Sequence, residues 1–374
     1  MLERREFLKR AGLAGASFAL SSCAADGQEQ RALNARETLD ALLKKNREHE
    51  KFSYPARNNH VPMTLIALYR MGATPAQMQR YTGTFDLSAG SAPQDGAKKG
   101  TITRETWRNQ LGRGAFPAYI GFFDDWTQQA SNEAVLKEAV PVLMKGTSSV
   151  AYHALLRLGY AVDYDSRDEI VFSLAFWAAG FYAGPDIADA KDGEVEPDAL
   201  LADVVKAASD VRLKQTGSID RNIRQVYDIR EFAKLWRPIK LPKSGAIDRV
   251  SELVMEAFTQ SQHFTLLHAL TSCQAMRLLL PYLGDPRESL SAYWHSVCAA
   301  YLTISLGKFE AGKDAAPEGG TEWKELFTKA AASEKALEHT AKLTYSCWLD
   351  SQHYKRDKYR ALALRELKKP SPFV

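Results

Sequence analysis

From residue 32 onward, apolar side chains recur three or four positions apart, the spacing of an α-helix. No run of β-branched residues alternates as a half-buried strand does. The pattern predicts an all-α fold. Glu37 to Glu48 sets Leu39, Leu42 and Leu43 on one side and charges on the other, an amphipathic surface helix. Ile170 to Tyr182 is apolar except for Ser173 and Gly180; its 13 residues are too few to cross a bilayer, so it reads as a buried helix. Phe264 to Leu283 is apolar on most faces and is expected to cross the core as well. Thr74-Pro75-Ala76-Gln77 has the chemistry of a helix start: a hydroxyl cap, Pro in the first turn and a Gln that can reach back. Asp285-Pro286-Arg287-Glu288 repeats it ahead of a helix through Tyr301. Thr82–Gly100, Gly184–Pro197, Trp236–Ser244 and Gly312–Gly320 are rich in Gly, Pro or charge and read as loops. None reads as a domain linker and no repeat is visible. Residues 33–374 are therefore expected to form a single large multi-helical domain with buried central helices.

Lys and Arg total 49 against 45 Asp and Glu, a net charge of +4, and part of that excess sits in the first ten residues. So weak a field gives no reason to expect nucleic acid as a ligand. The N-terminus reads as an address. Arg4-Arg5-Glu6-Phe7-Leu8-Lys9, a short run rich in Ala and Gly, and Leu20-Ser21-Ser22-Cys23 resemble a twin-arginine export signal ending in a lipobox. Glu3 stands where that pattern usually has Ser or Thr. Residues 1–22 are expected to be the signal peptide, Cys23 the lipidated first residue of the mature chain, and 23–32 a flexible tether. The domain would then sit on the periplasmic side of a bacterial membrane, lipid-anchored. The alternative, an amphipathic first helix of a cytosolic protein, is disfavoured by the Gly, Ala and Ser of residues 11–22. Cys273, Cys298 and Cys347 offer no CxxC pair and lie in apolar helical surroundings, so they read as buried free thiols.

The chemistry-bearing residues are histidines: His49, His60, His153, His263, His268, His295, His339 and His353. Four of them, His60, His153, His268 and His339, stand in or beside apolar helical segments that are far apart in sequence. One such histidine is ordinarily a hydrogen-bonded core residue. Four admit a second reading, because converging imidazoles satisfy one another best through a metal. Spacing alone leaves both open. His339 and Lys342, three apart, share a helical face. They are either a surface pair or, if directed inward, a histidine beside a lysine whose burial disfavours its charge. A neutral lysine amine can take up carbon dioxide as a carbamate, an anionic oxygen ligand that would partly neutralise a divalent cation.

Four segments, taken in order and spacing, resemble successive motifs of the questin oxidase-like family. They are Asn59-His60-Val61-Pro62-Met63 through Gly72-Ala73, Gly146 through His153 to Ala161, Phe264 to Ser272 around His268, and Glu338-His339-Thr340-Ala341-Lys342-Leu343. The resemblance implies an oxidoreductase, a non-haem iron oxygenase that cleaves or oxidises an aromatic or quinone (anthraquinone-like) ring with O2. It further implies Fe(2+) held by His60, His153, His268 and His339, with Lys342 as a carbamate. His263 would stand behind those ligands, and the other histidines would be bystanders. An older reading of the family, an oxidation of Baeyer–Villiger type driven by reduced nicotinamide, leaves an NADPH requirement open. Yet no Gly-x-Gly-x-x-Gly follows a strand here, so neither flavin nor nicotinamide has an evident seat. Tyr119, Phe122, Phe123, Trp126, Phe172, Phe176, Trp177 and Phe181 are candidates to line a flat aromatic pocket, though each is more ordinarily core. Tyr152 and Tyr160 flank the His153 motif. Two other readings stand beside this one: a zinc-dependent hydrolase using the same imidazoles, and a non-catalytic exported ligand-binding lipoprotein. The expected partners are a small aromatic or quinone substrate and O2, with no nucleic acid and no membrane contact beyond the lipid anchor.

Overall fold

The structure, a computed structural model, describes residues 22–50, 59–84, 102–113, 115–187, 194–208, 211–242, 244–304, 321–333 and 337–369, with side chains from residue 29. The proposed signal (residues 1–21), the Cys23 side chain and the Gly312–Gly320 loop lie outside these residues, as does most of Thr82–Gly100. The described residues form fifteen α-helices: α1 (Ser22–His49), α2 (Val61–Arg70), α3 (Pro75–Gly83), α4 (Phe116–Gln129), α5 (Asn132–Leu143), α6 (His153–Tyr164), α7 (Arg167–Gly180), α8 (Pro197–Ala207), α9 (Ile219–Tyr227), α10 (Ala246–Ser261), α11 (Phe264–Leu279), α12 (Pro286–Leu302), α13 (Trp323–Ala332), α14 (Leu337–Tyr354) and α15 (Lys358–Leu367). Among the described residues there is no strand; one isolated bridge pairs Val195 with Ile239.

The all-α expectation holds, and its reasons are local. The Thr74 hydroxyl accepts from the Gln77 N–H while the Gln77 side chain accepts from the Thr74 N–H, so α3 begins with a complete capping box. The Asp285 carboxylate caps α12 by accepting from the Arg287 N–H at 3.0 Å. Every residue of α7 from Glu169 to Gly180 is buried, as its apolar sequence requires. In α11 all but Phe264 and Leu278 are buried. That helix stops at Leu279 and passes into a short 3-10 turn because Pro281 has no N–H to continue the ladder. Residues 23–32, expected as a tether, instead form the start of α1. Ala24, Ala25, Gln28, Glu29, Gln30, Arg31 and Ala32 are strong helix formers, and Gly27 alone does not break the run. Cys273, Cys298 and Cys347 are buried free thiols, as expected.

Four helices pack in a closed circuit: α2 on α6, α6 on α11, α11 on α14, and α14 back on α2. The tightest joint is between α6 and α11, where a Cβ placed on Gly159 would lie 2.5 Å from the Cβ of Ala275. Buried charges lock the same circuit. Asp163 of α6 accepts from Arg70 Nε of α2 at 3.1 Å and from the Tyr345 hydroxyl of α14 at 2.8 Å. Arg277 of α11 donates to Asp350 of α14 at 2.9 Å. A third buried set ties the circuit to its neighbours: Arg157 of α6, fully buried, donates to both oxygens of Glu50 and lies 3.8 Å from Glu169 of α7, which also meets Arg47 of α1.

Candidate metal centre

Each helix of the circuit contributes one imidazole. His60 lies just before α2, where the Asn59 side chain accepts from the Val61 N–H at 3.0 Å and starts the helix. His153 is the first residue of α6, His268 lies one turn into α11, and His339 is in the first turn of α14. The rings touch in the order of the helices. Centroids are 4.6 Å apart for His60 and His153, 4.9 Å for His153 and His268, 5.4 Å for His268 and His339, and 4.8 Å for His339 and His60. Ligand nitrogens of His60, His153 and His339 all lie within 4.8 Å of one another. His268 stands outside that tightest trio and closes the ring through His153 and His339. Lys342, one turn after His339, is buried, and its charge acts on all four imidazoles.

Hydrogen bonds on the outer nitrogens fix how the rings present themselves. His268 Nδ1 lies 2.9 Å from the Phe264 carbonyl and His153 Nδ1 lies 2.9 Å from the Val150 carbonyl. A carbonyl can only accept, so both Nδ1 atoms carry the proton and both Nε2 atoms keep a lone pair. His339 Nδ1 faces Glu338 at 3.7 Å. His60 Nδ1 is buried with no hydrogen-bond partner, a costly state that a bound cation would relieve.

The Val150 carbonyl is aimed by an unusual turn. Val150, Ala151 and Tyr152 are three consecutive non-glycine residues in the left-handed region, with φ of 54°, 55° and 66°. Each costs about 1–2 kcal/mol relative to right-handed backbone. The surroundings hold the turn in place. Asp220 accepts from the Val150 N–H at 3.0 Å, the Tyr182 hydroxyl donates to the Ser148 carbonyl at 2.9 Å, and Trp177 donates to the Gly146 carbonyl at 3.0 Å. Strain of this kind, held beside a cluster of ligand-type side chains, is characteristic of functional sites.

Electrostatics keep the imidazoles neutral. Burial is the largest cause in every ring and lowers each below the ordinary histidine range; the Lys342 charge adds to it. His268 is brought to about 3. Burial also draws Lys342 down to about 7, against a partial opposing pull from Glu338. Neutral imidazoles with inward lone pairs suit a transition metal such as iron, zinc or copper. A lysine that loses its proton near neutrality can carry the carbamate that the sequence suggested.

Other expectations are revised. His263 does not stand behind the imidazoles: its Nδ1 accepts from the Thr265 N–H at 3.1 Å and caps α11. His295 is buried elsewhere, with Nε2 donating to the Arg237 carbonyl at 2.8 Å. His49 is half-buried at the end of α1 and His353 is exposed. Tyr119, Phe122, Phe123 and Trp126 pack with Trp107 as core, and Phe172 and Phe176 pack on Phe116. None of the eight aromatic residues named from sequence lines the cavity of about 590 Å³ that borders α14. Tyr160 does lie near the site, its hydroxyl 3.5 Å from the Lys342 carbonyl. Two neighbours were missed. Phe264 packs edge-on against His268 at 4.7 Å and His339 at 4.8 Å, and its position four residues before His268 was a readable signal. Asp220 gave none, lying about seventy residues from the turn it holds.

A family model described as questin oxidase-like matches residues 57–347, a span that contains all four imidazoles and Lys342. No curated protein matches the chain.

Proposed function

The chain belongs to the questin oxidase-like family, a membership that supports an oxidoreductase, and we propose that it is a non-haem iron oxygenase acting with O2 on an aromatic or quinone ring. The observation that carries this reading is the closed ring of four imidazoles, one from each helix of a packed circuit, with Lys342 buried beside them. His60, His153, His268 and His339 would hold the ion, with Lys342 as its carbamate. When bound, iron(II) would supply the redox chemistry through which O2 takes its electrons from an electron-rich ring. The chain's own residues do the rest. The Val150 and Phe264 carbonyls lock two imidazoles in the tautomer that offers Nε2. Phe264 sets an apolar ring edge-on against two of the imidazoles, which keeps water from that side. A carbamate on Lys342 would bring negative charge to four neutral ligands.

The test is elemental analysis of the purified full chain together with oxygen uptake in the presence of hydroxyanthraquinones and hydroquinones. About one iron per chain and substrate-dependent uptake are expected. Zinc without uptake would point to a hydrolase, and a chain that retains no metal would leave only a ligand-binding role; either outcome overturns the oxygenase. We also propose, on residues 4–9 and 20–23 of the sequence, that the protein is exported and lipid-anchored through Cys23. Export in the folded state would let the ion be chosen before translocation, since metal binding is coupled to folding. A reporter fused to residues 1–30 that stays in the cytosol would refute it.

A further inference from the structure

Helix α14 carries a row of side chains at three-residue intervals: His339 and Lys342 at the imidazole ring, then Tyr345, then Trp348. With a rise of about 1.5 Å per residue, Tyr345 stands about 9 Å along the helix axis from His339. Its ring centroid lies 5.9 Å from that of Tyr160, whose hydroxyl is 3.5 Å from the Lys342 carbonyl, and 5.8 Å from that of Trp348. Trp348 is half-buried and lines the cavity of about 590 Å³ between α1 and the circuit. A file of aromatic side chains in contact thus runs from beside the imidazoles to that cavity. Tyr345 differs from other buried tyrosines in its hydrogen bond. Tyr119, Tyr182 and Tyr293 donate to backbone carbonyls, which cannot carry a proton away. The Tyr345 hydroxyl donates to the Asp163 carboxylate at 2.8 Å, and Asp163 lines the same cavity. Burial and the Asp163 charge hold the Tyr345 phenol well above its ordinary range, so it keeps its proton until it is oxidised.

We infer that Tyr345, with Asp163 as its base and Trp348 as its outlet, is a redox relay between the imidazole ring and the surface. Tyr345 gives one electron to a one-electron oxidant at the ring, of the kind left when O2 is reduced without substrate. Its phenolic proton passes to Asp163, which leaves a neutral tyrosyl radical. Trp348 then returns an electron to Tyr345 as Asp163 returns the proton. A one-electron reductant in solution, such as ascorbate, refills Trp348. One electron has moved inward, and the chain has neither gained nor lost a proton. The route quenches an oxidising equivalent before it attacks the imidazoles. That use rests on the oxygenase reading; the relay itself does not.

Flash photolysis of the metal-free full chain tests it, with a ruthenium photosensitiser attached at Gln352→Cys, an exposed position one turn beyond Trp348. Cys23→Ser leaves the new thiol alone to react, since Cys273, Cys298 and Cys347 are buried. After oxidative quenching of the sensitiser, electron paramagnetic resonance should show a neutral tyrosyl radical. Tyr345→Phe should abolish it and leave a tryptophanyl signal, and Trp348→Phe should suppress both. Tyrosyl formation should slow in D2O and be largely lost in Asp163→Asn; if that variant does not fold, the isotope effect decides. Tyr160→3-aminotyrosine, a more easily oxidised side chain, should trap the radical beside the ring, and adding Tyr345→Phe should remove that signal. No tyrosyl radical, one that survives Tyr345→Phe, an unchanged rate in D2O, or no trapping at position 160 would overturn the inference. With no metal present, none of these outcomes depends on iron content or oxygen uptake, so a failure here is separable from a failure of the oxygenase reading.

Discussion

Gly159→Ala tests the packing on which the imidazole ring depends. In an exposed helix the change from glycine to alanine stabilises by about 1 kcal/mol, because glycine loses more backbone entropy on folding. At position 159 the new Cβ would lie 2.5 Å from Ala275 Cβ and 2.7 Å from Ala275 Cα. Ordinary carbon contacts are about 3.5–4.0 Å, so roughly 1 Å must be found between two helix backbones that have no flexible side chain to move. Overpacking of that kind costs about 1–3 kcal/mol, and a backbone obstacle belongs at the upper end. The expected net effect is a destabilisation of about 2 kcal/mol, read as a lower denaturant midpoint at unchanged slope. Gly121→Ala in α4 is the control: a Cβ there meets nothing within 4 Å. It should raise stability by about 0.5–1 kcal/mol. Because α6 carries His153 and α11 carries His268, whose rings are 4.9 Å apart, Gly159→Ala should also weaken metal retention and Gly121→Ala should not. A Gly159→Ala midpoint equal to wild type or above it would refute the close approach and the geometry built on it.

The same contacts set further outcomes. Arg157→Met leaves Glu50 and Glu169 buried without their shared guanidinium and should cost about 3–5 kcal/mol, measured by urea unfolding. Asp220→Ala removes the acceptor of the Val150 N–H and should lower metal affinity about 10–100-fold through His153, whereas Asp220→Asn, which keeps a carbonyl oxygen there, should lower it far less; competition with a fluorescent chelator reads both. In metal-free protein, His268 takes up no second, charging proton until about pH 3, while in the unfolded chain it does so near 6.5, so stability falls as pH drops below 6.5. Lys342 acts at the other end: the folded chain releases its proton near pH 7 and the unfolded chain near 10.5, so stability rises with pH between those values. Denaturation midpoints from pH 5 to 9 check both slopes, and Lys342→Met should remove the alkaline one while leaving the acid one.

The helices were legible because their signals are local. The capping box at Thr74, the apolar runs of α7 and α11 and the Asp285 start each depend on residues within a turn or two. The imidazole ring was half legible. Polar rings in apolar helices raised the question of convergence, but only the circuit of α2, α6, α11 and α14 brings His60, His153, His268 and His339 into contact. The left-handed turn before His153 was invisible, because Val150, Ala151 and Tyr152 are poor candidates for positive φ and are held there by distant partners such as Asp220. The cavity was misplaced for a similar reason. Aromatic residues clustered in sequence along α4 and α7 pack on one another as core, while the cavity draws Tyr69, Tyr345 and Trp348 from separate helices. The tether was misread because the propensity of residues 24–32 favours helix.

The most direct test is anomalous diffraction at the iron edge from crystals of the full chain, reconstituted with iron(II) in the presence of bicarbonate. One peak is expected per chain, within bonding distance of His60, His153, His268 and His339, with density for a carbamate extending from Lys342 to the ion. A peak elsewhere, or an empty ring of imidazoles in iron-saturated crystals, would contradict the claim that these helices exist to hold a metal.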